Sequence, residues 1–152
     1  MNSGLVRSIA DLSSQWRNRF WPSKKLSEHL RRGVLGETLA CRFLRKQGYK
    51  VLYRNFRGRR GGEIDIVCRD DDTLVFVEVK TRASEDFGRP FEAIRADQRK
   101  RISRGGLAWL RMLDDPDILF RFDVVEVIIP DDDKPRFEVI KNAFQLPKTY
   151  IY

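Results

Sequence analysis

The spacing of apolar and polar positions divides the chain beyond residue 26 into two helical and five extended segments. Helical spacing runs from Ser27, a suitable N-cap, to Gly48, a suitable stop, and returns after Asp97, the expected N-cap of a second helix. The order helix, three strands, helix, two strands predicts an α/β fold, a mixed sheet flanked by helices in a single domain. The predicted strands are residues 49–56, the two halves of 62–80, residues 118–129 and residues 136–144.

The first 26 residues are predicted to be an amphipathic helical extension of this domain, which spans residues 27–152. Apolar side chains recur there at helical spacing, with arginines between them and Pro22 at the end. Such a stripe is most often docked on its own domain or on a partner subunit. Contact with a membrane or with DNA is the alternative. The stripe consists of Leu5, Ile9, Leu12, Trp16 and Phe20.

An acidic turn joins the second and third predicted strands. If residues 71–72 are the centre of a tight hairpin, Asp65 faces Glu78. Glu63 then faces Lys80. Because side chains alternate across a strand, these four ionisable groups share one face of the sheet. The opposite face is expected to hold Ile64, Ile66, Cys68, Val75, Val77 and Val79.

Three carboxylates and one lysine therefore meet at the open end of this hairpin, at the border of a core. Carboxylates in such a place repel one another, and burial raises their pKa values unless positive charge compensates. One lysine does not offset three carboxylates, whereas a divalent cation does. Oxygen ligands with no histidine or cysteine nearby favour Mg²⁺ or Mn²⁺ over Zn²⁺.

The first helix offers a further carboxylate. Glu37 lies inside the apolar arc of residues 34–47, which is expected to face the sheet. Gly33 and Gly36 lie on or beside that arc and would let the helix backbone approach closely. A glutamate in this position is expected to be ion-paired or to be a metal ligand.

A purely structural interpretation accounts for the same residues one at a time. Glu63 and Lys80 would form an ordinary cross-strand ion pair, Asp65 and Glu78 would be exposed strand ends, and Glu37 would meet an arginine. The placement of all five at one end of a hairpin favours the functional interpretation.

The charge of the chain favours a polyanionic partner. Among its 152 residues, 30 lysines and arginines stand against 22 aspartates and glutamates, which gives a net charge of +8. Nucleic acid is the first candidate and an anionic membrane surface the second. The alternative is that the charge only keeps the protein soluble.

Several chemistries and locations have little support in the sequence. His29 is the sole histidine and has no partner pattern for nucleophilic catalysis, while Cys41 and Cys68 lack the spacing of a zinc site or a disulfide framework. We expect both cysteines to be buried free thiols. With no apolar run of about 20 residues and no signal-peptide pattern, the sequence predicts a cytoplasmic protein.

One motif gives these residues a family context. Asp65, twelve further residues and then Glu78-Val79-Lys80 resemble the PD-(D/E)xK motif of restriction-endonuclease-like nucleases. Residues 30–127 as a whole resemble the YraN family of predicted bacterial endonucleases, relatives of archaeal Holliday-junction resolvases. Ile64 stands where the general motif has proline. The blocks that carry the resemblance are GVLGETLACRFLRKQGYKVLYRNFRGRRGGEIDIV, LVFVEVKTR, FGRPFEAI and RFDVVEV.

The resemblance implies a restriction-endonuclease-like fold and a Mg²⁺-dependent or Mn²⁺-dependent DNA endonuclease. Lys80 would orient or activate the attacking water and stabilise negative charge. Glu63 would be an outer metal ligand or the partner that holds Lys80, and the choice stays open. The metal ligands implied are Asp65, Glu78, the Val79 carbonyl and, directly or through water, Glu37.

Basic and polar residues around these positions are the predicted nucleic-acid contacts. They would hold backbone phosphates and carry little sequence information, so we expect recognition of branched or damaged DNA by its structure. For Gln98 and Lys100 a solvated helix face is the alternative. Homodimerisation through residues 105–113 is an alternative to a core position for that segment. The predicted contacts are Arg57, Arg59, Arg60, Arg82, Gln98 and Lys100.

The leading interpretation is thus a metal-dependent DNA nuclease that acts in repair or recombination. A non-catalytic nucleic-acid-binding module of the same fold is the second, and a membrane-surface adaptor that uses residues 5–21 is the third.

Overall fold

The computed structural model describes residues 27–84, 94–114 and 117–148. The predicted N-terminal extension and the Arg89-Pro90 step before the second helix lie outside these residues. In chain order the elements are helix α1 (Glu28–Lys46), strands β1 (Lys50–Arg57), β2 (Glu63–Asp70) and β3 (Thr73–Arg82), helix α2 (Ala96–Leu113), and strands β4 (Leu119–Ile128) and β5 (Arg136–Phe144).

The five strands form one sheet in the order β1-β2-β3-β4-β5. All neighbours are antiparallel except β3 and β4, which run parallel and are connected through α2. Helix α1 packs on one face and α2 on the other, each over its own apolar cluster. The predicted α/β fold with a mixed sheet is confirmed, and the arrangement is consistent with a restriction-endonuclease-like fold. Among the residues described, no helix is long and apolar enough to cross a membrane.

Helix α1 begins and ends where the sequence predicts. The Ser27 hydroxyl accepts a hydrogen bond from Leu30 N at 3.4 Å, and Gly48 terminates the helix with a φ of +92°. Its inner face buries Cys41 and Leu44 against the sheet. Cys41 and Cys68 are both buried and free, as expected.

A close approach of α1 to β3 depends on Gly36. A Cβ at this position would overlap Thr81 Oγ1, whereas a Cβ on Gly33 would meet nothing within 4 Å. The prediction of close backbone approach is confirmed for Gly36 and wrong for Gly33, because Gly33 is one turn nearer the helix start, where α1 has left the sheet.

Helix α2 starts slightly earlier than predicted. Ala96 is already helical, and the Gln98 side chain accepts a hydrogen bond from Arg95 N at 3.3 Å, so Arg95 and not Asp97 is the N-cap. The segment 105–113 buries Leu107, Trp109 and Leu110, so it belongs to the core and is not a free self-association surface.

The predicted register of the β2–β3 hairpin is confirmed from Asp70 opposite Thr73 to Ile66 opposite Val77, and the predicted pairs of Asp65 with Glu78 and Glu63 with Lys80 lie beyond this paired part. One consequence drawn from strict alternation is wrong. Ile64 packs in the cluster under α2, whereas Ile66, two residues on, packs in the cluster under α1. The alternation of β2 therefore breaks at Asp65, the residue between them.

The same break occurs in the neighbouring strand. Arg54 donates a hydrogen bond to Thr38 Oγ1 of α1 at 3.1 Å, yet Phe56 packs its ring on Trp109 of α2. Asn55 lies between them with a φ of +53°, opposite Asp65 in the register. An asparagine tolerates this left-handed conformation better than most residues. Strands β1 and β2 thus change faces together at the level of Asp65.

A buried ionic cluster fixes the opposite, turn end of the sheet. The Arg121 guanidinium donates to Asp123 at 2.9 and 3.0 Å and to Asp70 at 2.7 Å, and Asn142 N donates to Asp123 at 2.8 Å. These contacts connect β2, β4 and β5. Asp123 is completely buried, so its charge needs these donors.

We predict opposite effects of alanine at two glycines of α1. Gly36→Ala should lower the free energy of unfolding by about 1–3 kcal/mol, because the new Cβ overpacks against Thr81. Gly33→Ala should raise it by about 0.5–1 kcal/mol, because alanine loses less entropy in a helix. Urea denaturation of the two variants measures both, and an unchanged or raised stability of Gly36→Ala would contradict the close approach at Gly36.

Candidate metal centre

The Asp65 carboxylate replaces a backbone acceptor where the strands part. Val79 N donates to Asp65 Oδ2 at 2.7 Å. The break in alternation thus turns the Asp65 side chain into the hairpin, toward β3. A buried N–H of β3 is satisfied in this way by a carboxylate and not by a carbonyl.

Glu78 is the most deeply buried acidic group of the site. The residue is 4% exposed, and its Oε1 lies 3.0 Å from Lys80 Nζ and 3.8 Å from Arg101 of α2. The interpretation of Glu78 as an exposed strand end is therefore wrong. A carboxylate this deep in a protein requires partners of opposite charge.

Asp65 and Glu78 meet across the hairpin, as the predicted register requires. Burial, and then the negative charge of Glu78, raise the pKa of Asp65 from 3.8 to about 8. Glu37 adds to this rise, and the hydrogen bond from Val79 N opposes it. The described residues thus bring three of the predicted carboxylates within electrostatic reach of one another.

Glu37 approaches the cluster from α1. Burial raises its pKa, and the charges of Glu78 and Glu63 add to this, while a hydrogen bond from the Asn55 side chain and the charge of Arg54 act in the opposite direction. Glu37 thus lies within electrostatic reach of both Arg54 and the other carboxylates, and its role as ion-pair partner or metal ligand stays a prediction.

Sequence reasoning missed Asn55. Its left-handed backbone and its hydrogen bond to Glu37 make it the residue that connects the break in β1 to the carboxylate of α1. One signal was available in the sequence: asparagine is depleted in strands and enriched where φ is positive.

Glu63 lies at the edge of the cluster, between two arginines. Its carboxylate is 2.9 Å from Arg57 Nε and 3.6 Å from Arg101 Nη1, and its side chain is 37% exposed. Lys80 contacts Glu78, two residues before it on the same strand. Glu63 is thus far more accessible than Glu78, whose side chain is 5% exposed.

The donor set fits a hard divalent cation in its chemistry. Asp65, Glu78 and Glu37 offer only oxygen ligands, and the raised pKa values of Asp65 and Glu37 show that their charges are under-compensated by the protein. Within residues 27–84, 94–114 and 117–148, no three acidic, histidine or cysteine side chains are already arranged around one metal position. Val79, whose carbonyl is the fourth predicted ligand, adjoins Glu78 and is tied to Asp65 through its N–H.

The predicted nucleic-acid contacts fall into two groups. Arg57, Arg59, Arg60 and Lys100 are exposed. Gln98 and Arg82 make internal contacts.

Gln98 caps α2 through its hydrogen bond with Arg95 N. Arg82 is 14% exposed in its side chain and lies 2.9 Å from the buried carboxylate of Glu126, which neighbours Lys80 in the sheet register. This pair extends the row of charged groups under α2, and sequence reasoning did not assign Glu126 to it.

Comparison with known proteins places the chain in a family. A profile of the uncharacterised protein family UPF0102 matches residues 36–127. A UPF0102 protein of Geobacter sulfurreducens is 48% identical over 114 residues, which cover 75% of this chain and 88% of the relative. UPF0102 proteins of Syntrophus aciditrophicus and Nocardia farcinica are 43% and 45% identical, over 80% and 74% of this chain and 94% and 87% of the relatives. With the profile matching more than half of the chain and these relatives covered almost throughout, the chain belongs to the UPF0102 family.

Proposed function

We propose that this protein is a metal-dependent endonuclease that hydrolyses DNA phosphodiester bonds. The observation that carries the proposal is the meeting of Asp65 and Glu78 inside the hairpin, with Lys80 beside Glu78. A structural ion-pair network would place such groups at the surface or in balanced pairs. Here two carboxyl groups meet directly, and burial, followed by the charge of Glu78, raises the pKa of Asp65, a cost that a bound cation would remove.

Asp65, Glu78 and Glu37 would hold Mg²⁺ or Mn²⁺, together with the Val79 carbonyl. A bound divalent ion of this kind lowers the pKa of its water and neutralises charge on the phosphate. Two contacts support this ligand set: the Asp65 carboxylate accepts a hydrogen bond from Val79 N of β3, and the Asn55 side chain donates one to Glu37.

Lys80 supplies the positive charge that the chemistry needs near the attacked phosphate. Its ammonium lies 3.0 Å from Glu78, so it is held at the edge of the carboxylate cluster with 19% of its side chain exposed. From there it would hold the attacking water and stabilise the negative charge that develops on the phosphate oxygens. Because Lys80 and Glu78 are two residues apart on one strand, both project from the same face.

The substrate proposal follows from the exposed basic groups. Arg57, Arg59 and Arg60 stand on the end of β1 and the loop before Glu63, and Lys100 is exposed on α2. Such side chains contact phosphates and read shape more than sequence. We propose branched or damaged DNA as the substrate, with repair or recombination in the cytoplasm as the setting and a homodimer as one form of the enzyme.

Cleavage of labelled DNA tests the activity. Wild-type protein should cut at least one of single-stranded, duplex, flap and four-way-junction DNA with Mg²⁺ or Mn²⁺, and not in EDTA. Lys80→Ala should lower the rate by about a hundredfold or more, because a positioned proton-transfer or charge-stabilising group is lost. Glu78→Ala should abolish cleavage. Lys134→Ala, which removes an exposed lysine from the turn before β5, serves as the matched control.

Two results would contradict the proposed activity. Cleavage that persists in Lys80→Ala and Glu78→Ala would place the activity elsewhere or in a contaminant. No cleavage of any substrate, combined with salt-sensitive binding to all of them, would favour the second candidate, a non-catalytic module that binds DNA through its exposed arginines.

The raised pKa of Asp65 predicts a pH-dependent stability. The folded state keeps the proton on Asp65 up to about pH 8, whereas the unfolded chain loses it near pH 4, so this group destabilises the metal-free protein progressively as the pH rises between these values. In EDTA, Asp65→Asn should therefore be more stable than wild type at about pH 8, by a few kcal/mol, and nearly equal at about pH 4.

Urea denaturation in EDTA at the two pH values measures this difference. Asp72→Asn, at the exposed turn of the same hairpin, is the control that removes a carboxylate without touching the cluster. Added Mg²⁺ should stabilise wild type and leave Asp65→Asn unchanged. If Asp65→Asn and Asp72→Asn differ from wild type in stability by the same amount at both pH values in EDTA, the raised pKa of Asp65 is contradicted.

A further inference from the structure

Arg101 is the residue of α2 that reaches the acidic cluster. Its guanidinium lies 3.6 Å from Glu63 Oε2 and 3.8 Å from Glu78 Oε1. It is thus shared between a half-exposed carboxylate, Glu63, and a buried one, Glu78.

The position of Arg101 is fixed by a close backbone approach. A Cβ on Gly105 would stand 2.9 Å from Ile64 Cγ1 and 3.0 Å from the Glu63 backbone, and a Cβ on Gly62 would overlap Gly105 N. The backbone of α2 therefore lies directly on the start of β2. Arg101 is one helical turn before Gly105, and this geometry directs its side chain over the open end of the hairpin.

Arg101 is held much more loosely than Lys80 and Arg82, two less exposed cations of the site. Both of its contacts are longer than a hydrogen bond, and 45% of its side chain is exposed. Lys80 lies 3.0 Å from Glu78 with 19% of its side chain exposed, and Arg82 lies 2.9 Å from Glu126 with 14% exposed. An ion pair as long and as exposed as those of Arg101 exchanges at little cost.

The same Glu78 oxygen is needed for two purposes. Glu78 Oε1 faces both Lys80 and Arg101, and the proposed metal site requires a Glu78 oxygen as ligand. When Glu78 ligates a divalent cation, the positive charge of Arg101 is repelled from the cluster. Of the two cations, Arg101 is the one that can leave, because solvent already reaches half of it.

We propose that Arg101 is a displaceable counter-cation: it neutralises Glu63 and Glu78 in the metal-free protein and turns to a DNA phosphate once Glu78 ligates a divalent cation. This inference rests on the proposed nuclease function and adds a coupling between metal and DNA. A guanidinium suits the second role, because its fork of N–H donors matches two phosphate oxygens. Arg101 is then a metal-dependent substrate contact.

The coupling predicts opposite effects on two affinities. Removal of a competing cation in Arg101→Ala should tighten Mg²⁺ binding to the protein alone by about two- to fivefold, the size of a half-exposed ion pair. The same variant should lose about tenfold in DNA affinity when Ca²⁺ replaces Mg²⁺ to prevent turnover, because a charged hydrogen bond to phosphate is lost. In EDTA it should bind DNA like the control.

Arg111→Ala is the matched control, since it removes an exposed arginine from the last turn of the same helix. It changes the net charge equally and leaves the acidic cluster untouched. Arg101→Lys keeps the charge and should leave Mg²⁺ affinity at the wild-type value while still weakening DNA binding in Ca²⁺. Titration calorimetry with Mg²⁺ and fluorescence anisotropy with labelled DNA measure the two affinities, and unfolding curves show that each variant is folded.

The outcomes separate this inference from the proposed function. If wild type binds Mg²⁺ and Glu78→Ala does not, the metal site stands. In that case equal Mg²⁺ affinities in Arg101→Ala and Arg111→Ala, or weaker binding in Arg101→Ala, would overturn the counter-cation role alone. If wild type binds no Mg²⁺ or binds it as well as Glu78→Ala does, the proposed function fails and the role of Arg101 fails with it.

Discussion

The hydrogen bond from Val79 N to the Asp65 carboxylate is the contact on which the candidate site depends. A strand that alternates strictly would send the Asp65 side chain to one face of the sheet and leave Val79 N to a backbone acceptor. The break at Asp65 turns its carboxylate into the hairpin and gives that N–H a charged acceptor. The side chain consequently meets the buried carboxylate of Glu78, and burial raises the pKa of Asp65.

This break requires support from both neighbouring elements. On one side, β1 changes faces at Asn55, whose positive φ lets the strand follow β2 without losing the pairs that flank it. On the other, the glycines at positions 62 and 105 let α2 lie on the start of β2. Asn55 also donates a hydrogen bond to Glu37, and α2 carries Arg101. The two elements that support the break therefore also hold Glu37 and Arg101 near the cluster.

The rest of the fold holds these parts in place. The parallel pair β3–β4 sets Glu126 beside Lys80, where Arg82 neutralises it, and the ionic cluster of Arg121 fixes the far end of the same strands. Buried charged groups thus occur at both ends of the sheet. The two ends differ in how far positively charged partners compensate their carboxyl groups. At the turn end the donors of Arg121 hold the pKa of Asp70 below its usual range, whereas at the open end burial, and then the charge of Glu78, raise the pKa of Asp65. A carboxyl group whose pKa is raised in this way distinguishes the candidate site from the structural network around Arg121.

The sequence by itself determined the elements, their order and the hairpin register from Ile66 to Asp70, because each follows from local periodicity and turn chemistry. It also predicted that Asp65 faces Glu78, but the break at Asp65 that brings the two together depends on the neighbouring elements. The position of Glu37 on the inner face of α1 also follows from the helical spacing of the apolar residues in that segment. Tertiary structure decided that Ile64 packs on the α2 side of the sheet, that Asn55 has a left-handed backbone, and that Arg101 reaches Glu78. These depend on how closely one backbone approaches another, at Gly36 and at Gly105, and no pattern within a single element encodes that distance.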